Sequence, residues 1–97
     1  MKQTTYRLRI PGSVAELVRS MHPYLKKKIR ASLRRILLNP NEGKSLKDEL
    51  AGLRSFQVGR FRTIYRIQKN RVEIVAIGPR KRIYEETFLI LKKENRE

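Results

Sequence analysis

With 97 residues the chain has room for one domain, spanning 1–97, and 24 Lys and Arg against 9 Asp and Glu leave it at +15. Such an excess repels itself in the folded state and calls for a polyanionic partner: nucleic acid first, an acidic protein segment second, a membrane surface a weak third. The absence of cysteine excludes disulfides, thiolate nucleophiles and zinc–thiolate sites. No apolar run approaches the ~20 residues of a membrane span, and MKQTTYRLRI lacks the apolar stretch of a secretory signal, so the chain reads as cytoplasmic.

Thr4 to Ile10 alternates Tyr6, Leu8 and Ile10 with Arg7 and Arg9, the period of a half-buried strand. After the Pro11-Gly12 stop, Ser13 and Glu16 have capping-box spacing, and Val14, Leu17, Val18 and Met21 recur as in a short amphipathic helix. His22 marks a boundary, and Pro23 suits the first turn of a second helix running to about Leu38. Its apolar stripe is Leu25, Ile29, Leu33, Ile36 and Leu37, with Ser32 on the same face. Lys26, Lys27, Lys28, Arg30, Arg34 and Arg35 fill the rest, and the two helices should form an antiparallel hairpin on a sheet.

Asn39 to Gly43 is a dense turn signal. Ser45, with Asp48 and Glu49, is expected to cap one helical turn anchored by Leu46, Leu50 and Leu53 and stopped at Gly52. Three strands follow as an antiparallel meander, about Ser55–Val58, Phe61–Gln68 and Arg71–Ile77, joined by the turns Gly59-Arg60 and Lys69-Asn70. The last is apolar on both faces, as an interior strand should be. Glu85 to Lys93 can close the chain as a short helix with acids first and lysines last, docked by Phe88 and Leu91. The sum is an α+β domain: a small antiparallel sheet, a helix hairpin on one face, a short C-terminal helix, and the other face left for arginines.

The strand pattern places Arg60, Arg62 and Arg66 on one face, with Ile64 between. Phe61, Thr63, Tyr65 and Ile67 face the core, where Tyr65 belongs. Beyond Gly78-Pro79, Arg80, Arg82 and Tyr84 share a side if that tail is extended. The single histidine rules out a two-imidazole acid–base pair. The sparse acids form no metal-binding spacing, and no glycine-rich phosphate loop or GxSxG elbow occurs. The expected site therefore needs no cofactor and no metal. What remains is chemistry on a phosphate by cations and hydroxyls. In RNA the 2′-hydroxyl can attack the adjacent phosphorus when its proton is removed, cations clamp the phosphate and an acid meets the leaving oxygen. Arginine suits the clamp because its fork meets two phosphate oxygens and keeps its charge.

Gly52 to Tyr65 (GLRSFQVGRFRTIY) and Ile77 to Tyr84 (IGPRKRIY) carry a resemblance to the RelE/ParE superfamily of type II toxin–antitoxin toxins. The shared pattern is a strand, a Gly turn, aromatic-Arg-x-x-Tyr, then Ile-Gly-x-Arg ending in Tyr, and it follows a helix hairpin of suitable length. The resemblance implies a toxin that enters the ribosome and cuts mRNA, held inactive by an acidic antitoxin. It also implies roles: Arg62 grips the scissile phosphate, Arg80 acts as leaving-group acid or transition-state stabiliser, and Tyr84 stacks on a base. Arg54, Arg60, Arg66, Lys47, Lys81 and Arg82 are the further expected RNA contacts, although Arg54 also suits a connector anchor and Tyr84 a dock for the last helix. One departure stands out. RelE-type nucleases carry two basic residues in the strand before Gly59, and here Ser55 and Gln57 occupy those positions. That departure keeps two alternatives open, a ParE-like inhibitor of DNA gyrase and a plain basic RNA-binding protein.

Overall fold

The run Phe61–Gln68 alternates face by face, and it forms the middle strand of the sheet. In a computed structural model that describes residues 5–95, the strands are β1 (Arg7–Arg9), β2 (Lys44–Ser45), β3 (Arg54–Val58), β4 (Phe61–Gln68) and β5 (Arg71–Pro79). Their order is β1-β5-β4-β3-β2. β2 to β5 pair antiparallel in sequence, whereas β1 joins the far side of β5 in parallel, Leu8 opposite Val72. The sheet is therefore mixed. Helices α1 (Gly12–Arg19), α2 (Pro23–Leu38) and α3 (Ile83–Glu94) complete an α+β domain. None of the described helices is long and apolar enough to cross a membrane. Thr4, the start of the expected first strand, lies outside the described residues.

The second helix keeps its expected bounds and stripe: Ile29, Ser32, Leu33 and Ile36 are buried. His22 is its N-cap, with Nδ1 accepting from the Tyr24 N–H at 3.1 Å. The capping box before it does not form. Pro11, in extended conformation, already accepts the first helical bond from Ala15 N–H at 3.0 Å, so Ser13 lies inside α1 and caps nothing. Ser45 likewise caps nothing, because it pairs with Arg54 in β2; the connector's single turn is a 3-10 turn over Asp48–Leu50.

Two cores flank the sheet. On one face Val14, Ile29, Leu33 and Ile36 meet Val58, Tyr65, Val72, Ile74 and Ile77. On the other, Ile83 of α3 and Leu53 of the connector meet Ile64, Val75 and Ala76, with Leu46, Leu50, Tyr84 and Leu91 at the margin. Helices thus do not keep to one face, and only part of the second face is left to arginines. A bulge makes this arrangement possible. Ile64 pairs with Ala76 and Tyr65 with Ile74, leaving Val75 as the extra residue. Val75 and Ala76 both turn to the α3 side, and Ile77 returns to the α2 side.

α3 docks through Ile83 and Thr87, both fully buried, rather than through Phe88, which is 38% exposed. The helix begins at Ile83 and not Glu85, so the inward face runs 83, 87, 91. It seats closely against Gly78, where an added Cβ would lie 2.9 Å from Ile83 Cδ1.

At the opposite end of β4 an ion-pair chain ties four elements. Glu73 accepts from Arg9 Nε at 3.1 Å and from Arg66 Nε at 2.5 Å, and Arg66 reaches Glu94 of α3 at 3.7 Å. Burial pushes the Glu73 carboxyl upward, but the Arg66 bond and charge, with Arg71 and Arg9, outweigh it and hold the pKa below its ordinary value. A depressed carboxylate contributes stability above its unfolded pKa, and that contribution is lost as pH falls through the folded value. Glu73→Gln is expected to lower stability by about 2 kcal/mol at pH 7. Urea unfolding across pH should show wild type and variant converging only once pH falls below the depressed folded pKa of Glu73, where the carboxyl is protonated in both states.

Candidate functional site

Gln57, Arg62 and Gly78 form one rung across β3, β4 and β5. On the α3 side of that rung Arg62 leans toward β3. Its Nη1 donates to Ser55 Oγ at 3.2 Å and its Nη2 to Gln57 Oε1 at 3.4 Å. Its Cζ lies 6.0 Å from the centroid of the Tyr84 ring. The Tyr84 hydroxyl donates to the same Ser55 Oγ at 3.3 Å. Ser55, only 2% exposed, is thus the shared acceptor that sets both side chains. Among the described residues Arg62 Nε is buried without a hydrogen-bond partner. The guanidinium is held by two long bonds, which a closer anionic acceptor would improve on.

Beside this cluster an open groove is lined by Gln57, Gly59, Arg60, Pro79, Arg80, Lys81 and Arg82. It lies at the β4 start and β5 end, where Arg80 N–H donates to Arg60 O at 2.9 Å. Gln57 belongs to both groove and cluster, so Arg62 and Arg80 sit at the same end of the sheet. The route differs from the extended tail expected here. β5 stops at Pro79, residues 80–82 turn, and Tyr84 lies in the first turn of α3, so helix geometry and not strand alternation aims its ring.

The other expected residues divide. Arg60, Arg80, Lys81 and Arg82 are all exposed around the groove. Lys47 lines a second groove, together with Lys44, Ser45, Leu46, Asp48, Leu50 and Tyr84. Arg54 and Arg66 stand apart. Arg54 Nη1 donates to Gly43 O at 2.8 Å and Asn41 O at 3.2 Å, which anchors the connector. Arg66 is committed to Glu73 and Glu94. The role of Ser55 was hidden in the sequence, because a serine in a strand gives no sign of what crosses from the neighbouring strand and from a helix 29 residues later. Asp48 was expected only as part of the connector's cap. Tyr65 is core, fully buried, with its hydroxyl donating to Pro40 O at 2.6 Å and accepting from Gly43 N–H at 3.1 Å. Burial raises its pKa against the lowering effects of the Gly43 bond and the Arg54 charge. Among the described residues no three His, Cys, Asp or Glu side chains gather in a way that could hold a metal ion.

A five-stranded sheet with helices on both faces, an arginine–tyrosine cluster and a cationic groove beside it define a small, strongly basic α+β protein. Its kinship is specific: the family described as "ParE toxin of type II toxin-antitoxin system, parDE" matches residues 14–84, most of the chain. The chain belongs to this family and is a toxin of a type II toxin–antitoxin system within the RelE/ParE superfamily. Comparison with curated proteins gave no match. Among solved structures, a mutant of the E. coli toxin RelE in the free state superposes with a TM-score of 0.74 at 15% identity, covering 93% of this chain and 97% of that one. The RelBE2 toxin–antitoxin complex from Mycobacterium tuberculosis is 26% identical, with a TM-score of 0.61 over 81% of this chain and 95% of that one. The archaeal RelE–RelB complex from Pyrococcus horikoshii is 20% identical, with a TM-score of 0.66 over 80% and 98%.

Proposed function

We propose that this toxin is a ribosome-dependent mRNA endoribonuclease that needs no metal, inhibits translation in the cytoplasm, and is neutralised by an acidic antitoxin. The observation that carries the reading is the half-buried Arg62 guanidinium, held beside the Tyr84 ring by two long hydrogen bonds, next to a groove rimmed by Arg60, Arg80, Lys81 and Arg82. In this reading the 2′-oxygen attacks the adjacent phosphorus and the bond to the 5′-oxygen breaks. The 2′-proton leaves to a base, and a proton is delivered to the departing 5′-oxygen. The products are a 2′,3′-cyclic phosphate and a 5′-hydroxyl. Arg62 clamps the non-bridging oxygens as charge builds on them, and Arg80 meets the leaving oxygen from the groove. Tyr84 stacks on an unstacked base, and Arg60, Lys81, Arg82 and Lys47 follow the backbone. Arg54 and Arg66 serve the fold. The +15 chain favours an acidic antitoxin, and two of the solved relatives are complexes of toxin and antitoxin.

A second reading has its own support. Ser55 and Gln57, where RelE-type nucleases carry basic residues, are both spent on Arg62 and supply no base. That favours a ParE-like inhibitor of DNA gyrase acting through protein contacts. Induced expression followed by mapping of mRNA 5′ ends, with a supercoiling assay in parallel, separates the two. Codon-phased cuts are expected, with supercoiling unaffected; growth arrest with intact mRNA and blocked gyrase would select the second.

Tyr84 offers a finer test. Tyr84→Phe removes one 3.3 Å hydrogen bond and keeps the ring, so cleavage should fall no more than a few-fold. Tyr84→Ala loses stacking worth ~1–3 kcal/mol, and cleavage should drop by roughly 10- to 100-fold. Single-turnover cleavage on programmed ribosomes measures both.

A further inference from the structure

Tyr84 borders more than the Arg62 cluster. Its ring is also a wall of the second groove, whose other lining is Lys44, Ser45, Leu46, Lys47, Asp48 and Leu50. The composition is that of a site for a flat, polar-edged ring: an aromatic wall, two leucines, two ammonium groups and one carboxylate. Leu46 and Leu50 are half-buried against the α3-side core, so this part of the wall is fixed. Lys44, Lys47 and Asp48 are exposed, and among the described residues none of the three side chains takes a hydrogen bond or an ion pair. In a chain so short of acids, a carboxylate that lines one groove with two lysines and takes no hydrogen bond is an acceptor without a donor. Its backbone is also unusual, with φ of +55°. Asp and Asn tolerate that conformation better than most residues.

Resting on the ribonuclease reading above, we infer that this connector groove is a nucleotide subsite for single-stranded RNA, and that Asp48 selects guanine there. Arg62 already occupies space over the Tyr84 ring. A base stacking on Tyr84 therefore finds its open approach from the connector groove. Its sugar-phosphate backbone then passes Lys44 and Lys47, which neutralise phosphates without regard to sequence. Its Watson–Crick edge meets Asp48. A carboxylate only accepts, and guanine alone presents two neighbouring donors, N1–H and the N2 amino group, to match its two oxygens. Uracil offers a single N–H between two carbonyls that repel the carboxylate. The strand thus runs from the Arg60/Arg80 groove, past Arg62, to the connector, with the selected base on the Tyr84 side of the scissile phosphate.

Asp48→Asn tests this cleanly, because asparagine accepts the same positive φ and the side chain keeps its shape while losing the second acceptor. Fluorescence anisotropy with short 2′-O-methyl RNAs, which bind but do not suffer cleavage, should show guanine favoured over inosine at one position by about tenfold, the worth of one charge-assisted hydrogen bond. Asp48→Asn should erase that preference and leave the salt dependence of binding intact. Lys44→Gln and Lys47→Gln should do the reverse, weakening all sequences alike. Equal binding of guanine, inosine and uracil by wild type, or an unchanged preference in Asp48→Asn, overturns the subsite. Cleavage by wild type on ribosomes is scored separately. If cuts occur without a guanine preference that depends on Asp48, the subsite fails and the ribonuclease reading stands. If no cut occurs, both fall, whatever the binding shows.

Discussion

Arg62→Ala is expected to abolish growth arrest while the protein still folds. The cleavage rate on ribosomes should fall by at least ~10²–10³, the usual effect of removing one donor that stabilises developing charge. Arg80→Ala should lose a similar factor from the other segment. The structural reason to expect a sound fold is specific to Arg62. Among the described residues its side chain hydrogen-bonds only to Ser55 and Gln57, at 3.2 and 3.4 Å, and it buries an unsatisfied Nε. Deleting the side chain removes that penalty along with the bonds, so the melting temperature should move by only a few degrees. Arg62→Lys keeps the charge and loses the fork, and should recover only a small part of the activity. Toxicity in cells, cleavage in vitro and thermal melting together separate loss of chemistry from loss of fold. Full activity in Arg62→Ala would contradict the assignment.

Gly43→Ala should do the opposite, destroying stability without touching the cluster. A Cβ at position 43 would overlap the Tyr65 hydroxyl and lie 2.9 Å from two atoms of its ring. Tyr65 is fully buried between the sheet and α2 and is held to Pro40 O, so it has nowhere to go. Overpacking of ~1–3 kcal/mol adds to hydrogen bonds broken at Gly43 and Pro40. The expected loss is about 4 kcal/mol, a large share of the ~5–15 kcal/mol typical of a domain. That corresponds to a fall in melting temperature of roughly 15–30 °C. Tyr65→Phe alone should cost about 2 kcal/mol. Because it also removes the hydroxyl that the new Cβ strikes, the double variant should be more stable than the sum of the two singles implies. Calorimetry of the three variants checks this, and strict additivity would show that the clash is relieved elsewhere.

Periodicity carried the elements that bury one clean face. The α2 stripe and the bounds of β4 follow from spacing alone, as does the core position of Tyr65. Choices between neighbouring signals were harder to read. Ser13 and Glu16 fit a capping box, yet Pro11 reaches the cap position first. Phe88 is the larger apolar residue, yet the face of α3 is set by its start at Ile83, which brings Thr87 inward. Strand parity alone also misses the bulge at Val75, which exchanges the faces of Ala76 and Ile77. At the site, arginines could be located along the chain but not sorted. Arg62 and Arg66 share a face and a strand, and only Glu73, opposite Arg66 across the hairpin, and the remote Glu94 make one of them a fold-holding residue. The link from Ser55 to both Arg62 and Tyr84 joins three separate segments, and no local pattern encodes it.

In the proposed reaction Arg62 and Arg80 act on one RNA phosphate while Tyr84 holds the base beside it. The most direct measurement adds the purified toxin to ribosomes carrying a defined mRNA and identifies the chemical ends of any fragment. A single cut within the codon in the A site, leaving a 2′,3′-cyclic phosphate and a 5′-hydroxyl, and absent with Arg62→Ala, is the predicted result. Intact mRNA under conditions where the same preparation arrests growth would contradict it.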